Sequence, residues 1–326
     1  MSSFYSVFLR TKSAVSVFER IDYCREVIAN GGEPRCMLIS GPSGVGKSRI
    51  LEEYRNQNPP IKQVGFYQIP VMLTRIAERP TIIDTAYQML ENLGQGAISH
   101  VNQERTLVRM LKGLLSKCKT EVIIVDEFQE LIEFKTDEEI VRIANWLKHL
   151  SSEVRIPIIL VGTCWSKKIL KEAQWESRMM YKININPFSF ECEDDKEEYR
   201  KVLKGLAERL PLVEKPSLDV NEFAIPLIIV TEGKFRKLKW LLEDALNEAI
   251  KNDDVSLKKA HIITSLAKDD ELSPELLAIF SYSINNLAEY LALKYAGEIE
   301  KAKNILKISK KLSLPYDLPA VLSKNK

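Results

Sequence analysis

The residues with the clearest chemical signature form one short stretch between positions 41 and 48. This stretch matches the pattern G-x-x-x-x-G-K-[ST] at every fixed position, and its members are Gly41, Pro42, Ser43, Gly44, Val45, Gly46, Lys47 and Ser48. Glycines in such a stretch let the backbone wrap around a phosphate with its N–H groups turned inward. In this pattern the lysine reaches the β- and γ-phosphates, and the serine hydroxyl ligates Mg²⁺. The stretch therefore predicts a phosphate-binding loop in which Lys47 and Ser48 have those roles.

Two adjacent acids follow an apolar, β-branched run at residues 122–125. A phosphate loop of this kind works with an acid at the end of a neighbouring strand that holds Mg²⁺, and Asp126 stands in that place. Glu127, the next residue, is predicted to polarise the attacking water as a general base. Acids often cap strand ends, so the pair alone is a weak signal. Together with the loop upstream, it indicates hydrolysis of a nucleoside triphosphate.

Three further side chains occupy places where such a site uses polar groups. Thr163 follows a predicted strand and could orient water beside the γ-phosphate, although a strand-end threonine can also simply satisfy its own loop. Arg178 precedes another predicted strand and could stabilise charge in a neighbouring subunit's site, with a surface salt bridge as the alternative. Arg236 begins an amphipathic helix and could reach the phosphates from a helical lid. Taken singly, a solvated basic face explains Arg236 better.

The elements predicted around these residues alternate between strand and helix as far as residue 185. Strands are predicted at 36–40, 65–74, 122–125, 156–161 and 181–185, and helices at 15–30, 48–56, 81–93, 103–117, 137–151 and 167–174. Such alternation is typical of a mostly parallel sheet with helices on both sides. After Pro187 only helices are predicted, at 196–209, 221–230, 234–251 and 256–266, with a long one from the N-cap Ser273 toward Tyr295.

These patterns predict an α/β fold followed by an all-helical part. We expect four segments along the chain: an N-terminal helical segment at 1–34, a nucleotide-binding α/β domain at 35–190, a helical lid subdomain at 191–268, and a C-terminal helical extension and tail at 269–326. In the tail, Tyr316 stands between Pro315 and Pro319. This stretch could be a short peptide that docks a partner protein, or an inert terminus.

Composition excludes several classes of protein. The 326 residues are 45% hydrophobic and 28% charged, with 13 Gly and 14 Pro, which is typical of a globular protein and not of a disordered or collagen-like one. No apolar run approaches the roughly 20 residues of a membrane span, and the N-terminus lacks the apolar core of a signal peptide. Five cysteines without a C-x-x-C pair, with three histidines, do not suggest zinc. We therefore expect a cytoplasmic protein with no membrane partner.

Together, the motifs resemble those of the AAA+ ATPases over residues 15–251. Residues 41–48 correspond to Walker A and 122–127 to Walker B, while Thr163, Arg178 and Arg236 stand at the sensor 1, arginine-finger and sensor 2 positions. More narrowly, the chain is similar to the TniB/TnsC transposition regulators. The stretches that carry this similarity are RPT at 79–81, MLENLG at 89–94, IVDEFQEL at 124–131, VGT at 161–163 and QWESR at 174–178.

The resemblance implies a P-loop AAA+ sheet, ATP and Mg²⁺ as ligands, and an oligomer on double-stranded DNA. Such an oligomer is a ring or helical filament of hexameric or heptameric type, and it joins a target-selection protein to a transposase. ATP binding favours its assembly and hydrolysis permits disassembly. It also implies pore-facing basic residues on or after the helix at 103–117. The candidates are Arg105, Arg109, Lys112 and Lys119, for which an ordinary solvated stripe is the alternative.

Two departures from the family pattern leave other functions open. Sensor 1 is often Asn, whereas this chain has Thr163, and the acidic pair is followed by Phe128 and Gln129 where many relatives have His or Asn. The tetrad DEFQ also resembles helicase motif II, but the chain after Lys251 supplies no second nucleotide-binding lobe. The alternatives are a DNA-remodelling motor or replication-initiation loader with the same core, and a signalling ATPase that binds no DNA. A GTPase is disfavoured because no Asn-Lys-x-Asp element occurs.

Overall fold

The computed structural model describes residues 4–95 and 103–313. The predicted connection at 96–102 and the tail residues 314–326, with Tyr316, lie outside the described residues. The chain divides into two compact units, one of residues 12–186 and one that combines residues 4–11 with 187–313. The four-segment division expected from the sequence stays a prediction.

The first unit alternates strands and helices. Its elements are α1 (Lys12–Ala29), β1 (Cys36–Ser40), α2 (Lys47–Gln57), β2 (Ile61–Gln63), β3 (Phe66–Gln68), β4 (Val71–Arg75), α3 (Ile82–Asn92), α4 (Glu104–Lys117), β5 (Val122–Asp126), α5 (Gln129–Ile132), α6 (Asp137–Val154), β6 (Ile158–Gly162), a 3₁₀ helix (Cys164–Lys171), α7 (Ala173–Glu176) and β7 (Met179–Asn184). Helices α3 and α6 begin after Thr81 and Thr136, each of which forms a reciprocal capping box with the acid three residues later.

Strands β4, β5, β6, β1 and β7 form one parallel sheet in that order. Every residue of β1, β5 and β6 is buried, as expected for apolar strands covered on both faces. Because the strands are parallel, their carboxyl ends share one edge of the sheet. The loop at 41–48, Asp126 and Thr163 therefore all belong to that edge, where α/β folds commonly bind ligands.

The apolar core of the first unit lies between the sheet and its helices. Leu38, Ile123 and Leu160 from the strands belong to one buried cluster with Leu111 of α4 and Leu147 of α6. Burying such a side chain stabilises a fold by about 1.5–3 kcal/mol. The polar residues at the sheet edge therefore follow strands β1, β5 and β6, which are buried along their whole length.

The second unit is helical. Its elements are a 3₁₀ turn (Phe4–Ser6), α8 (Glu193–Arg209), α9 (Asn221–Thr231), α10 (Phe235–Lys251), α11 (Lys259–Leu266), α12 (Pro274–Leu277), a 3₁₀ turn (Ile279–Ser281), α13 (Ile284–Tyr295) and α14 (Ile299–Ser313). It has its own apolar core, which includes Leu203, Leu227, Leu242 and Leu287. Across the described ranges, no helix is both long enough and apolar enough to cross a membrane.

The predicted fold class is confirmed: a parallel α/β sheet flanked by helices is followed by a helical part. Three local predictions were wrong. The apolar stretch at 65–74 is not one strand, because β3 ends at Gln68 and β4 begins only at Val71, after Pro70; β3 pairs instead with β2 in a hairpin that turns at Gly65 (φ 80°). The predicted helix at 167–174 is a 3₁₀ helix followed by α7, and its first turn is closed by an i to i+3 bond from Ser166 N to Thr163 O (3.0 Å).

The long helix predicted from Ser273 to Tyr295 is also interrupted. Ser273 does cap a helix, but that helix ends at Leu277, and α13 begins only after Ser283. The Ser283 hydroxyl accepts a hydrogen bond from the Asn286 N–H (3.3 Å), so it acts as a second N-cap within the predicted span. Two caps ten residues apart therefore divide what the apolar spacing suggested was continuous.

Candidate functional site

The loop after β1 depends on glycine at three positions. Gly44 and Gly46 have φ angles of 85° and 99°, in the left-handed region that glycine adopts without strain. At Gly41 the reason is space, because a Cβ there would lie 2.2 Å from the carbonyl oxygen of Ile185. The pattern that singled out this loop in the sequence is thus explained by its backbone geometry.

The Lys47 side chain is folded back over this loop. It is only 7% exposed, and its Nζ donates hydrogen bonds to the carbonyl oxygens of Gly41 and Pro42, both at 2.8 Å. A buried ammonium is costly unless its charge is compensated by hydrogen bonds or an anion. The loop therefore holds a positive charge beside its own backbone, which suits a phosphate ligand.

Ser48 and Asp126 are brought together, as the motif predicts. Asp126 ends β5, is 2% exposed, accepts a hydrogen bond from the Glu127 N–H (3.0 Å), and lies close to the Ser48 hydroxyl. Burial raises the pKa of the Asp126 carboxyl, and the nearby Ser48 hydroxyl partly offsets this rise. A hydroxyl and a carboxylate in contact beside a phosphate loop are oxygen donors of the kind that Mg²⁺ prefers. The residues present therefore fit a nucleotide carried with Mg²⁺.

Arg75 is a member of this cluster that the sequence did not reveal. It ends β4 and is the cross-strand partner of Asp126, with its Nε 3.5 Å from Asp126 Oδ2. Its Nη2 also lies 3.3 Å from Glu52 Oε1 on α2. An arginine at a strand end carries no sequence signal by itself, because its partner is known only once β4 and β5 are known to be neighbours.

Glu127 and Thr163 are joined by the side chain of Gln129. The amide Nε2 of Gln129 donates to Glu127 Oε2 at 2.7 Å, and its Oε1 accepts the Thr163 N–H at 3.0 Å. Within the described part of the chain, the buried Thr163 hydroxyl has no hydrogen-bond partner. The structure therefore groups the predicted base and the predicted sensor, and it adds Gln129, which the sequence marked only as a departure from the family pattern.

Arg178 lies at the opposite edge of the sheet from the loop of its own chain. Its carbonyl accepts a hydrogen bond from Cys36 N (2.9 Å), the first residue of β1, and its Nη2 donates to Ser152 Oγ at 3.0 Å. The phosphate loop leaves β1 at its other end, and a strand rises about 3.3 Å per residue. This chain therefore does not place Arg178 beside its own loop at 41–48.

The remaining predicted residues belong to other elements. Arg236 is on α10 in the helical unit, with its guanidinium carbon 5.9 Å from the ring centroid of Trp240. Arg105, Arg109 and Lys112 are exposed on α4, and Lys112 Nζ pairs with Glu153 at 3.0 Å. Lys119 is exposed just after α4 with a φ of 51°. The roles of these residues stay predictions.

Comparison with known proteins gives both a family match and a fold match. A family model described as "Bacterial TniB protein" matches residues 6–187, more than half of the chain. No curated protein sequence matches. Among solved structures, Cdc6p from Pyrobaculum aerophilum is 14% identical with a TM-score of 0.60, over 92% of this chain and 81% of that one.

Two structures from Aeropyrum pernix are also similar. The ORC2 protein in ADPNP–ADP complexes is 15% identical with a TM-score of 0.57, over 79% of this chain and 68% of that one. The ORC1 protein in complex with DNA is 17% identical with a TM-score of 0.56, over 81% of this chain and 67% of that one. At these identities the likeness concerns the fold, which is that of a P-loop ATPase with a helical C-terminal part.

Proposed function

The chain belongs to the TniB family of bacterial proteins, and on that premise we propose that it is an ATP-dependent, DNA-binding AAA+ regulator of DNA transposition. It oligomerises on double-stranded target DNA and couples a target-selection protein to the transposase. The observation that carries the ATPase part is the contact between Ser48 and Asp126 beside the buried Lys47. The transposition part rests on the family.

ATP binding is assigned to the loop at 41–48. The Lys47 ammonium leaves the carbonyl oxygens of Gly41 and Pro42 to pair with the β- and γ-phosphates, while backbone N–H groups of the loop surround them. Charge-assisted hydrogen bonds to phosphate are stronger than those to neutral carbonyls. The exchange of partners therefore favours the nucleotide.

Hydrolysis is assigned to the residues at the ends of β5 and β6. Ser48 and Asp126 would hold a Mg²⁺ ion, which when bound would neutralise charge on the phosphates. Glu127 accepts a proton from the attacking water, and the Thr163 hydroxyl, which is buried without a partner in the described chain, orients that water. These roles use four of the polar groups at this edge of the sheet and leave Arg75 and Gln129 without one.

Oligomerisation is supported by the position of Arg178. An arginine one strand length away from its own loop can stabilise γ-phosphate charge only when another copy of the chain presents its loop. ATP thus lies between subunits and favours assembly, and its hydrolysis permits disassembly. Arg236 on α10 is proposed to contact the phosphates as sensor 2.

DNA binding is assigned to the exposed basic residues on and after α4. Arg105 and Arg109 present guanidinium groups to solvent, and Lys112 and Lys119 extend the basic surface. Such groups grip the phosphate backbone without reading the bases. This fits a regulator that encircles or coats any target duplex.

Electron microscopy of the purified protein tests this proposal. With duplex DNA and a non-hydrolysable ATP analogue we expect rings or helical filaments, and with either ligand alone we expect few. A protein that remains a single chain on a sizing column with both ligands present would contradict it. Insertion assays with the cognate transposase and target-selection protein then test coupling, which should require the ATP-bound form.

A further inference from the structure

Gln129 is a buried polar residue to which the sites assigned so far give no role. It is the first residue of the short helix α5 and is 5% exposed. A buried amide is costly unless its oxygen and nitrogen are both hydrogen-bonded. Here the oxygen accepts the Thr163 N–H at 3.0 Å, and the nitrogen donates to Glu127 at 2.7 Å. One side chain thus joins the chain after β5 to the chain after β6.

Gly162 provides the space for this bridge. It ends β6 and directly precedes Thr163, and a Cβ at this position would lie 2.4 Å from Gln129 Oε1 and 2.3 Å from Ser166 Oγ. The φ of Gly162 is not in the left-handed region, so backbone freedom does not explain the glycine. Glycine is required at position 162 because the Gln129 amide occupies the space that a side chain would fill.

The backbone around the bridge is fixed on both sides. The Phe128 N–H donates to the Val161 carbonyl at 2.8 Å, and Phe128 is fully buried. Glu127, which directly precedes Phe128, has a φ of 57°. Residues with a side chain rarely adopt this conformation, and it persists only where the surroundings enforce it. The turn that presents Glu127 is therefore held by the same two strand ends that Gln129 connects.

We propose that Gln129 is a positioning residue for ATP hydrolysis. Its amide fixes the Glu127 carboxylate relative to Thr163, so that the base and the sensor hydroxyl address one water molecule together. This proposal rests on the ATPase function proposed above. It predicts that Gln129 acts on the chemical step through Glu127 and contributes little to nucleotide binding, because its contacts are to Glu127, Glu130 and Thr163 and not to the phosphate loop.

Gln129→Met is the main test, because methionine has similar length but can make neither hydrogen bond. Misplacing a catalytic group by about 1 Å costs about 100-fold in rate. For the DNA-assembled protein we therefore expect kcat for ATP to fall about 10- to 100-fold, with KM and the affinity for an ATP analogue within about 2-fold. Gln57→Met, on the exposed end of α2, is the matched control and should change neither constant.

Two further variants keep the test informative if Gln129→Met folds poorly. Gly162→Ala retains Gln129 but pushes a methyl group against its Oε1, so kcat should fall in the same way. Gln129→Glu keeps the acceptor for Thr163 and replaces the donor to Glu127 by a second carboxylate, so it should not restore kcat. Full kcat in either variant would overturn the proposal.

A double-mutant cycle separates positioning from a general structural role. In a Glu127→Gln background, Gln129→Met should lower the remaining hydrolysis by less than about 2-fold, because the group it positions has already been removed. Independent, multiplicative losses would overturn the proposal, as would a loss confined to KM. If the wild-type protein does not hydrolyse ATP on DNA, the proposed function itself fails. If the wild type hydrolyses ATP and Gln129→Met matches it, only the role of Gln129 fails.

Discussion

The hydroxyl of Ser48 lies close to the buried carboxylate of Asp126, although β6 lies between β1 and β5 in the sheet. The contact is possible because α2 begins at the carboxyl end of β1, so that its first turn lies close to the end of β5. The fold itself thus brings a hydroxyl and a carboxylate together.

Replacing Lys47 by Ala should remove the charge at the centre of the phosphate loop. We expect affinity for a fluorescent ATP analogue to fall about 100-fold or more, because charge-assisted hydrogen bonds to phosphate are lost. DNA-dependent assembly in ATP should be lost with it. Lys62→Ala, an exposed lysine on β2, is the control and should bind and assemble normally. Normal assembly of Lys47→Ala would contradict the site.

Asp126→Asn should stabilise the ligand-free protein at neutral pH. Burial raises the pKa of Asp126 in the folded state, so its protonated form favours folding, and that contribution is lost as pH rises through the raised pKa. Asn mimics the protonated form, so the Tm of the ligand-free variant should lie above that of wild type at neutral pH.

Differential scanning fluorimetry measures this effect. The difference between Asp126→Asn and wild type should be largest near pH 8 and should vanish toward about pH 4, the ordinary pKa of Asp. With Mg²⁺ and ATP the order should reverse, since only the wild type gains from the ligand. The exposed Asp270→Asn is the control. A variant that is less stable than wild type at pH 8 without ligand would contradict the prediction.

Glu127→Gln should separate binding from hydrolysis. The amide cannot accept the proton of the attacking water, so turnover should fall about 100- to 10,000-fold, while ATP affinity stays near that of wild type. Because hydrolysis permits disassembly, the DNA-bound oligomer should persist for longer after free nucleotide is removed. Unchanged phosphate release would exclude Glu127 as the base.

Arg178→Ala should lower hydrolysis about 1,000-fold or more, as expected when an arginine finger is lost. Mixing this variant with Lys47→Ala should restore activity at those interfaces where an intact Arg178 meets an intact loop. Ser152→Ala removes the hydrogen bond that holds the arginine but leaves its charge, and it should have a much smaller effect. Failure of the mixture to recover would argue against action between subunits.

Arg109→Ala should weaken DNA binding more than Lys112→Ala. Both side chains are exposed on α4, but the Lys112 ammonium already pairs with Glu153 at 3.0 Å and shares its charge with that carboxylate. Loss of one phosphate contact should reduce the slope of log K against log salt by about 0.9, equally for all DNA sequences. Fluorescence anisotropy across a salt series measures this slope, and equal slopes for wild type and Arg109→Ala would remove Arg109 from the interface.

The phosphate loop and the acidic pair could be predicted from the sequence because their signal is local. The loop needs glycine at fixed spacings, and Asp126 follows a strand that is apolar throughout, so both are visible without knowledge of the fold. The strand and helix alternation gave the fold class for the same reason. A single sequence is most informative about features that depend only on residues close together in the chain.

Arg75 and Gln129 could not be assigned in this way. Arg75 matters because β4 pairs with β5, and strand order is not written in the residues of either strand. Gln129 matters because Gly162, on a different strand, leaves room for its side chain. The interruption before α13 was missed for another reason, since the apolar spacing across Ser283 outweighed a second capping signal.

The distance between Arg178 and the phosphate loop of its own chain affects how ATPase activity should depend on the number of adjacent subunits. If Arg178 acts only in an adjacent copy, a single molecule contains both the arginine and the phosphate loop but cannot use them together. In an open row of subunits one end always holds an incomplete centre, whereas a closed ring has none. ATPase activity per subunit would then rise with the number of subunits in the row and level off. Phosphate release measured against protein concentration would therefore indicate whether the subunits form an open row or a closed ring.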